Sequence, residues 1–244
     1  MTGPLLFPGR LPDGALVRGD TLPTQPTLRP STPPAAPAPV WLSCNHAPET
    51  TPLHLWPASN GQAAASVPAN DSGTARSASG ALIFRAGENS GLCLADALPD
   101  AATASLGAIF RPAPAASAGT ILSLQPQDGS GYLFLAHEDG QLRIGRKDAD
   151  LSLTAPAPEG AILAGLSLAA GRVTLFVNGT AASSAPLALS GPADLFIGCR
   201  TARPGLKNKL GSFHLADVLL WPGDPAPDLA AACALRAERG QHGL

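Results

Sequence analysis

Three runs in the second half of the chain limit its fold more than any other feature. Arg172-Val173-Thr174-Leu175-Phe176-Val177 stops at Asn178-Gly179, and Leu195-Phe196-Ile197 stops at Gly198. A third, Phe213-His214-Leu215-Ala216-Asp217-Val218-Leu219-Leu220-Trp221, opens just after Gly211. β-Branched, aromatic and leucine-rich runs bounded by glycines that tolerate positive φ are strand and turn units of an antiparallel sheet. The same punctuation recurs upstream. Tyr132 to Ala136 and Gln141-Leu142-Arg143-Ile144 flank His137-Glu138-Asp139-Gly140, where Asp139-Gly140 supplies the residues a tight hairpin turn needs. Leu166-Ser167-Leu168 and Val173 to Val177 flank Ala169-Ala170-Gly171 in the same way. Alternation places Leu142, Ile144, Phe213 and Leu215 toward a core between two sheets. On the strand around Leu175, that residue and Val177 share one face while Phe176 takes the other. The expected fold is an all-β antiparallel sandwich.

The order of these runs resembles the closing half of the laminin-G-like, concanavalin A-like jelly-roll family. There an L-x-V-N-G hairpin, an I-G strand and a final G-x-hydrophobic-D-hydrophobic strand follow one another. The opening half is similar too: Ala81-Leu82-Ile83-Phe84-Arg85-Ala86-Gly87 matches the family's first strand and turn. Leu106-Gly107-Ala108-Ile109-Phe110-Arg111-Pro112 matches its early sheet strand. The resemblance covers about residues 80 to 222 and implies a jelly-roll β-sandwich that binds glycans or proteins. Some members of the fold hydrolyse glycosides, and laminin-G-like domains often hold calcium at the sandwich rim.

Organisation along the chain follows composition. Residues 1–40 carry a proline every two to four positions over much of their length, which favours an extended arm and excludes helix or central strand. Residues 41–79 read as a connecting segment with possible edge strands at Val40-Trp41-Leu42 and Leu53-His54-Leu55-Trp56, the two tryptophans covering the sandwich that follows. Residues 80–244 form the laminin-G-like sandwich, ending in a short helix from Asp228 to Gly240. Asp228 is its expected N-cap, Gly240 its stop, and Leu229 and Leu235 its anchors.

Sixteen Lys and Arg against eighteen Asp and Glu leave a net charge of −2, with no basic run to neutralise phosphates, so nucleic-acid binding is a poor expectation. Arginine-heavy, alanine-rich usage reads as a GC-rich bacterial coding sequence. Cys44, Cys93, Cys199 and Cys233 have no CxxC spacing, which excludes a zinc ribbon or a thioredoxin-type site. They are buried thiols, or Cys93 and Cys199 are bridged if their strands are neighbours. The N-terminus lacks a basic start and an apolar run, so no signal peptide is expected, and no apolar segment reaches membrane-spanning length.

Glycosidases of the resembled fold cluster carboxylates in a Glu-x-Asp-x-x-Glu pattern, and two carboxyls must flank the scissile bond. This chain has no such cluster, and neighbours Glu138 and Asp139 point to opposite sides of a turn. No catalytic residue is expected. Tyr132, a ring that can stack on a sugar, and the polar groups His137, Asp139 and His214 are the candidate ligand contacts. No cofactor is required. Calcium is the one ion the resemblance admits, and Asp128, Asp139, Asp148 and Asp150 are the loop acids that would supply its oxygens.

The expected function is therefore a non-enzymatic binding or structural module that recognises a cell-surface glycan or a protein partner. An adhesion-type sandwich with a proline-rich arm and no secretion signal fits a spike, fibre or decoration component on the head or tail of a phage-like particle. Such a protein assembles in the cytoplasm as an oligomer, docks on other subunits through residues 1–40, and becomes extracellular with the particle. The alternatives are a free bacterial lectin-like carbohydrate-binding protein or a glycoside hydrolase of the same fold.

Overall fold

The computed structural model describes residues 38–48, 52–67, 75–76, 80–114, 116–147 and 149–244; Asp148 and residues 1–37 of the proline-rich arm lie outside them. The first strands are β1 (Val40–Ser43), β2 (Leu55–Pro57), β3 (Ala63–Ser66), β4 (Ala75–Arg76), β5 (Leu82–Phe84) and β6 (Leu92–Leu98). Next come β7 (Ala104–Pro112), β8 (Gly119–Pro126), β9 (Leu133–Glu138), β10 (Gln141–Arg146) and β11 (Ser152–Pro156). The last are β12 (Ile162–Ala169), β13 (Arg172–Val177), β14 (Thr180–Pro186), β15 (Ala193–Ile197) and β16 (Phe213–Pro222), before helix α1 (Ala230–Gln241).

The strands make two antiparallel sheets. Sheet one runs β14-β13-β12-β7-β16-β5-β4, and β1 shares with β5 the far edge of β16. Sheet two runs β11-β10-β9-β8-β15-β6-β3-β2. The stretch expected as a connecting segment thus supplies β1 and β4 to sheet one and β2 and β3 to sheet two. Trp56 is fully buried, and its indole Nε1 donates to the Ser43 carbonyl at 2.8 Å.

Between the sheets lies one apolar core. Leu142, Ile144, Phe213 and Leu215 point into it, as alternation requires. Leu175 does so as well, while Phe176 turns to the opposite face of sheet one and joins a second cluster there. The hairpin turns are those the sequence encodes: Asp139 and Gly140 have φ 52° and 72°, and Asn178 and Gly179 have φ 49° and 84°.

The second cluster exists because the outer face of sheet one is also apolar. Ile109, Leu163, Phe176, Leu219 and Trp221 would be wet there, and α1 covers them with Ala232 buried and Leu229 and Leu235 packed alongside. Burying a large apolar side chain stabilises by about 1.5–3 kcal/mol, so these residues hold the helix in place. The helix starts later than composition suggests: Asp228 accepts the Ala230 N–H at 2.9 Å from just outside it. Gly240 does not stop it. The helix runs on to Gln241, and Gly243 takes the left-handed conformation at φ 86°.

An ion pair also joins α1 to sheet one. β16 slips register against β7 between Leu215 and Asp217, so that both Ala216 and Asp217 face outward. Asp217 is fully buried; Arg239 Nε donates to its Oδ2 at 2.8 Å and Nη2 to its Oδ1 at 3.1 Å. Trp41 Nε1 donates to Oδ1 at 3.0 Å, and Arg239 Nη2 also donates to Ser43 Oγ at 3.0 Å. Hydrogen bonding to Asp217 raises the Arg239 pKa above its ordinary value.

The strands bearing Cys93 and Cys199 are neighbours, since β6 pairs with β15. No disulfide nonetheless joins any of the four cysteines. Burial pushes the Cys93 thiol up to about 11 and the Cys199 thiol up to about 12, which keeps both protonated at neutral pH.

Stranding a buried charge costs about 3–5 kcal/mol. Arg239→Ala is expected to lower unfolding stability by that amount in urea titration. The double change Asp217→Asn with Arg239→Gln should recover much of the loss, because it leaves no net charge behind. A loss below about 1 kcal/mol for Arg239→Ala would show that the pair does not staple the helix.

Candidate functional site

The residues singled out in the sequence fall into two places. His137, Asp139 and His214 come together with Arg111 and Glu159 in a cleft of about 640 Å³ at the rim between the sheets. Tyr132 lies elsewhere, beside a second hollow of about 620 Å³ on the outer face of sheet two.

The rim cleft is built mainly to hold the fold together. His137 belongs to β9 rather than to the turn: Leu133 and Leu135 point inward, and the period of two carries His137 inward after them. It is buried, and its Nδ1 accepts the Ala118 N–H at 3.2 Å, so that nitrogen is already occupied. Asp139 is held by its own backbone, whose N–H donates to Ser117 Oγ at 3.1 Å. His214 sits opposite Arg111 on β7, and Arg111 Nη2 donates to the Gly243 carbonyl at 2.9 Å.

The proposed calcium ligands do not form one site. Asp128 lies in the β8–β9 loop and Asp150 in the β10–β11 loop, whereas Asp139 sits at the β9–β10 turn, at the opposite end of the same strands. A strand of six residues at about 3.3 Å each separates them. Asp128 is an exposed turn acid whose Oδ1 accepts the Ser130 N–H at 2.8 Å, and that bond holds its carboxyl below the usual range. Asp148 is outside the described residues, and among the described residues no three His, Cys, Asp or Glu side chains group as metal ligands.

The hollow on sheet two is assembled differently. Sheet one has α1 on its outer face, but the outer face of sheet two carries Phe134, Phe196, Gln125, Glu138 and Arg143. The connection from β15 to β16 folds back over this face and brings Arg200, Arg203, Leu206 and Lys209 to it. It can lie so close only because two glycines cross. A Cβ on Gly211 would strike Ser117, Ala118 and Gly119, and Gly119 itself has φ 65°. The connection is then tied down: Gly205 N–H donates to Asn89 Oδ1 at 2.7 Å, and Gly87 N–H to the Leu210 carbonyl at 3.0 Å.

Arg200 lines the hollow. Its guanidinium lies 3.7 Å above the Phe134 ring, and its Nε donates to Thr120 Oγ1 at 3.0 Å. The ring in turn lies flat because Gly145 offers no Cβ beneath it. Glu138 collects three cations at long range: Lys209 at 3.5 Å and Arg200 at 3.9 Å on Oε1, and Arg143 at 3.8 Å on Oε2. Tyr132 packs edge-on to Phe134 with centroids 6.2 Å apart. Gln125 carries a buried Oε1 with no hydrogen-bond donor, and Leu206 is 72 % exposed at the lip. Composition gave no hint of this cluster. Arg143 alternates outward between Leu142 and Ile144 and was readable, but Arg200 and Lys209 come from an irregular connection with no period.

No protein-family model matches the chain, and no curated protein matches it in sequence. Solved structures do match in fold. A Trypanosoma rangeli sialidase in complex with sialic acid aligns at TM-score 0.56 and 16% identity, over 84% of this chain and 33% of the sialidase. The ligand binding domain of botulinum neurotoxin serotype D, in complex with N-acetylneuraminic acid, aligns at TM-score 0.53 and 10% identity, over 82% of this chain and 50% of that one. This chain therefore spans about one third of the sialidase and half of the toxin fragment. At such identity the likeness establishes the fold: a β-sandwich compatible with the concanavalin A-like jelly roll. Among the described residues no helix is long and apolar enough to cross a membrane.

The His137 ring gives a pH test. Burial, partly opposed by Asp139, pushes its pKa below the ordinary 6.5. Folding thus favours the neutral ring, and its contribution is complete above about 6.5 and is lost as pH falls through and below that value. The thermal midpoint should drop between pH 7 and pH 5, and His137→Asn, which keeps an acceptor near Nδ1 but does not titrate, should flatten that drop. An unchanged slope in the variant would show that His137 is not a source of the acid sensitivity. His214, lowered by burial and by Arg111, titrates in the same sense and stays constant in the comparison.

Proposed function

We propose that this chain is a non-catalytic glycan-recognition module whose binding site is the hollow on the outer face of sheet two. The observation that carries this reading is the pairing of aromatic rings with an unsatisfied polar atom: Tyr132 and Phe196 line the same hollow as Gln125, whose amide oxygen lacks a donor. A sugar presents an apolar ring face and hydroxyl donors, and this surface offers the complement of both. Two structural neighbours, a sialidase and a toxin binding domain, were solved with sialic acid or N-acetylneuraminic acid bound, which supports a saccharide over a peptide.

Binding rather than hydrolysis is favoured by the carboxylates. Among the described residues the hollow is lined by one carboxylate, Asp194, whose Oδ1 already accepts the Asp96 N–H and a Gln127 amide hydrogen, both at 2.9 Å. Glycoside cleavage by the usual route needs two. Applied to a glycan array at micromolar concentration, the protein should retain at least one saccharide class, and Gln125→Ala should weaken that binding about fivefold, one hydrogen bond's worth. It should release no reducing sugar, and Glu138→Gln and Asp139→Asn should leave that result unchanged. Release by the wild type that either change abolishes would make the protein a hydrolase instead.

A second reading adds context. The proline-rich arm, residues 1–40, favours a component hung on a larger particle, because its spacing of prolines precludes a core of its own. Deleting residues 1–37 should leave the thermal midpoint of the sandwich unchanged while abolishing co-purification with the parent assembly. Unaltered assembly after deletion would remove the support for a particle-borne role.

A further inference from the structure

Resting on the glycan-binding reading, we infer that the ligand is an anionic saccharide, its acid group received by Arg200 and Lys209 in the hollow on sheet two. Charge is the first ground. The chain as a whole is slightly acidic, at −2. Yet among the described residues Arg200, Arg203, Lys209 and Lys147 line this hollow, against the carboxylate of Asp194 in its wall and that of Glu138 beside it. Positive charge gathered in one concavity of a neutral-to-acidic protein selects an anion and steers it there.

Geometry is the second ground. Arg200 is preorganised: the Phe134 ring fixes its plane and Thr120 takes its Nε–H. Fixing Arg in one plane presents a planar fork that suits a carboxylate or sulfate. Its partner inside the protein is distant. Charge-assisted N–H···O bonds settle at about 2.7–2.9 Å, whereas the contacts of Arg200, Arg143 and Lys209 to Glu138 are 3.9, 3.8 and 3.5 Å. One carboxylate shared loosely by three cations leaves two positive charges in excess. Glu138 keeps the cations gathered without saturating them. An incoming acid group close to Arg200 and Lys209 gains contacts that Glu138 does not supply.

A neutral sugar would leave this arrangement unexplained, since its hydroxyls would be served as well by amides. Gln125 is such an amide, at the same hollow, and is suited to a hydroxyl beside the acid group. The shared chemistry is therefore a sugar acid or a sulfated sugar bearing free hydroxyls.

Calorimetry on the full chain distinguishes the sources, with 3′-sialyllactose and a glucuronate oligomer as carboxylated probes, a sulfated disaccharide, and lactose as the neutral control. At least one anionic probe should bind about tenfold or more tightly than lactose, and the advantage should shrink between low and high salt as screening grows. Arg200→Gln should erase the advantage, and Lys209→Gln, a partly exposed position, should halve it or more with the fold intact. Glu138→Gln should strengthen binding of the same probe several-fold, because it removes the competing acid. Equal, salt-independent binding of lactose and the charged probes would overturn the inference and leave the glycan reading standing. Weaker binding in Glu138→Gln would also overturn it, by showing that Glu138 receives ligand hydroxyls. Binding of no probe at all would sink both.

Discussion

A fully buried aspartate on a central strand is the constraint around which sheet one is arranged. Asp217 cannot stay ionised and dry without a partner, and an isolated buried carboxylate would be far too costly to keep. Arg239 meets it with two hydrogen bonds, Trp41 with a third, and Ser43 accepts from the same guanidinium. Strand β1 and helix α1, remote in sequence, are thereby fixed to one point on β16. The apolar cluster under the helix supplies the gain in burial; the ion pair supplies the register, because only one placement of α1 brings Arg239 to Asp217.

The two sheets are covered differently, one by α1 and the other by an irregular connection. Helix α1 packs on the outer face of sheet one, and at the rim between the sheets His137 and Arg111 are already spent on Ala118 and Gly243. Among the described residues no α-helix packs over sheet two. Its outer face is modified by the β15–β16 connection, which lies flat because Gly211 and Gly119 cross without side chains. Cations in a loop over a rigid sheet are held better than cations on a loop alone. Phe134, lodged over Gly145, is the rigid part, and Arg200 takes its orientation from it.

Most of the frame was legible in the sequence, and most of the site was not. Asp139-Gly140 and Asn178-Gly179 announced their hairpins because few other residue pairs adopt positive φ twice in succession. Leu175 and Phe176 declared opposite faces through the strand period alone. That period misleads at Asp217: strict alternation from Leu215 would send it into the apolar core, and only the extra residue at Ala216 turns it outward. A bulge leaves no mark in composition. Arg239 reads as an ordinary cation at a helix C-terminus and is instead the counter-ion of a residue 22 positions earlier. The acids chosen for calcium were judged by type and loop position, and strand direction then placed Asp139 at the wrong end of sheet two.

The fold neighbours and the hollow answer different questions. A sandwich shared at 10–16% identity says how the chain packs, and folds of this kind host lectins, toxins and hydrolases alike. What a given sandwich recognises is decided by the few side chains its connections lay across the open face. On sheet two the proposed contacts come from separate stretches: Gln125 on β8, Tyr132 before β9, and the loop bearing Arg200 and Lys209, with Phe134 on β9 and Arg143 on β10 packed beside them. The shared frame brings them together, and none of the strand periods requires them to be polar, aromatic or charged. Their agreement in chemistry, with rings below, cations above and one amide left without a donor, is therefore information that the fold does not already contain.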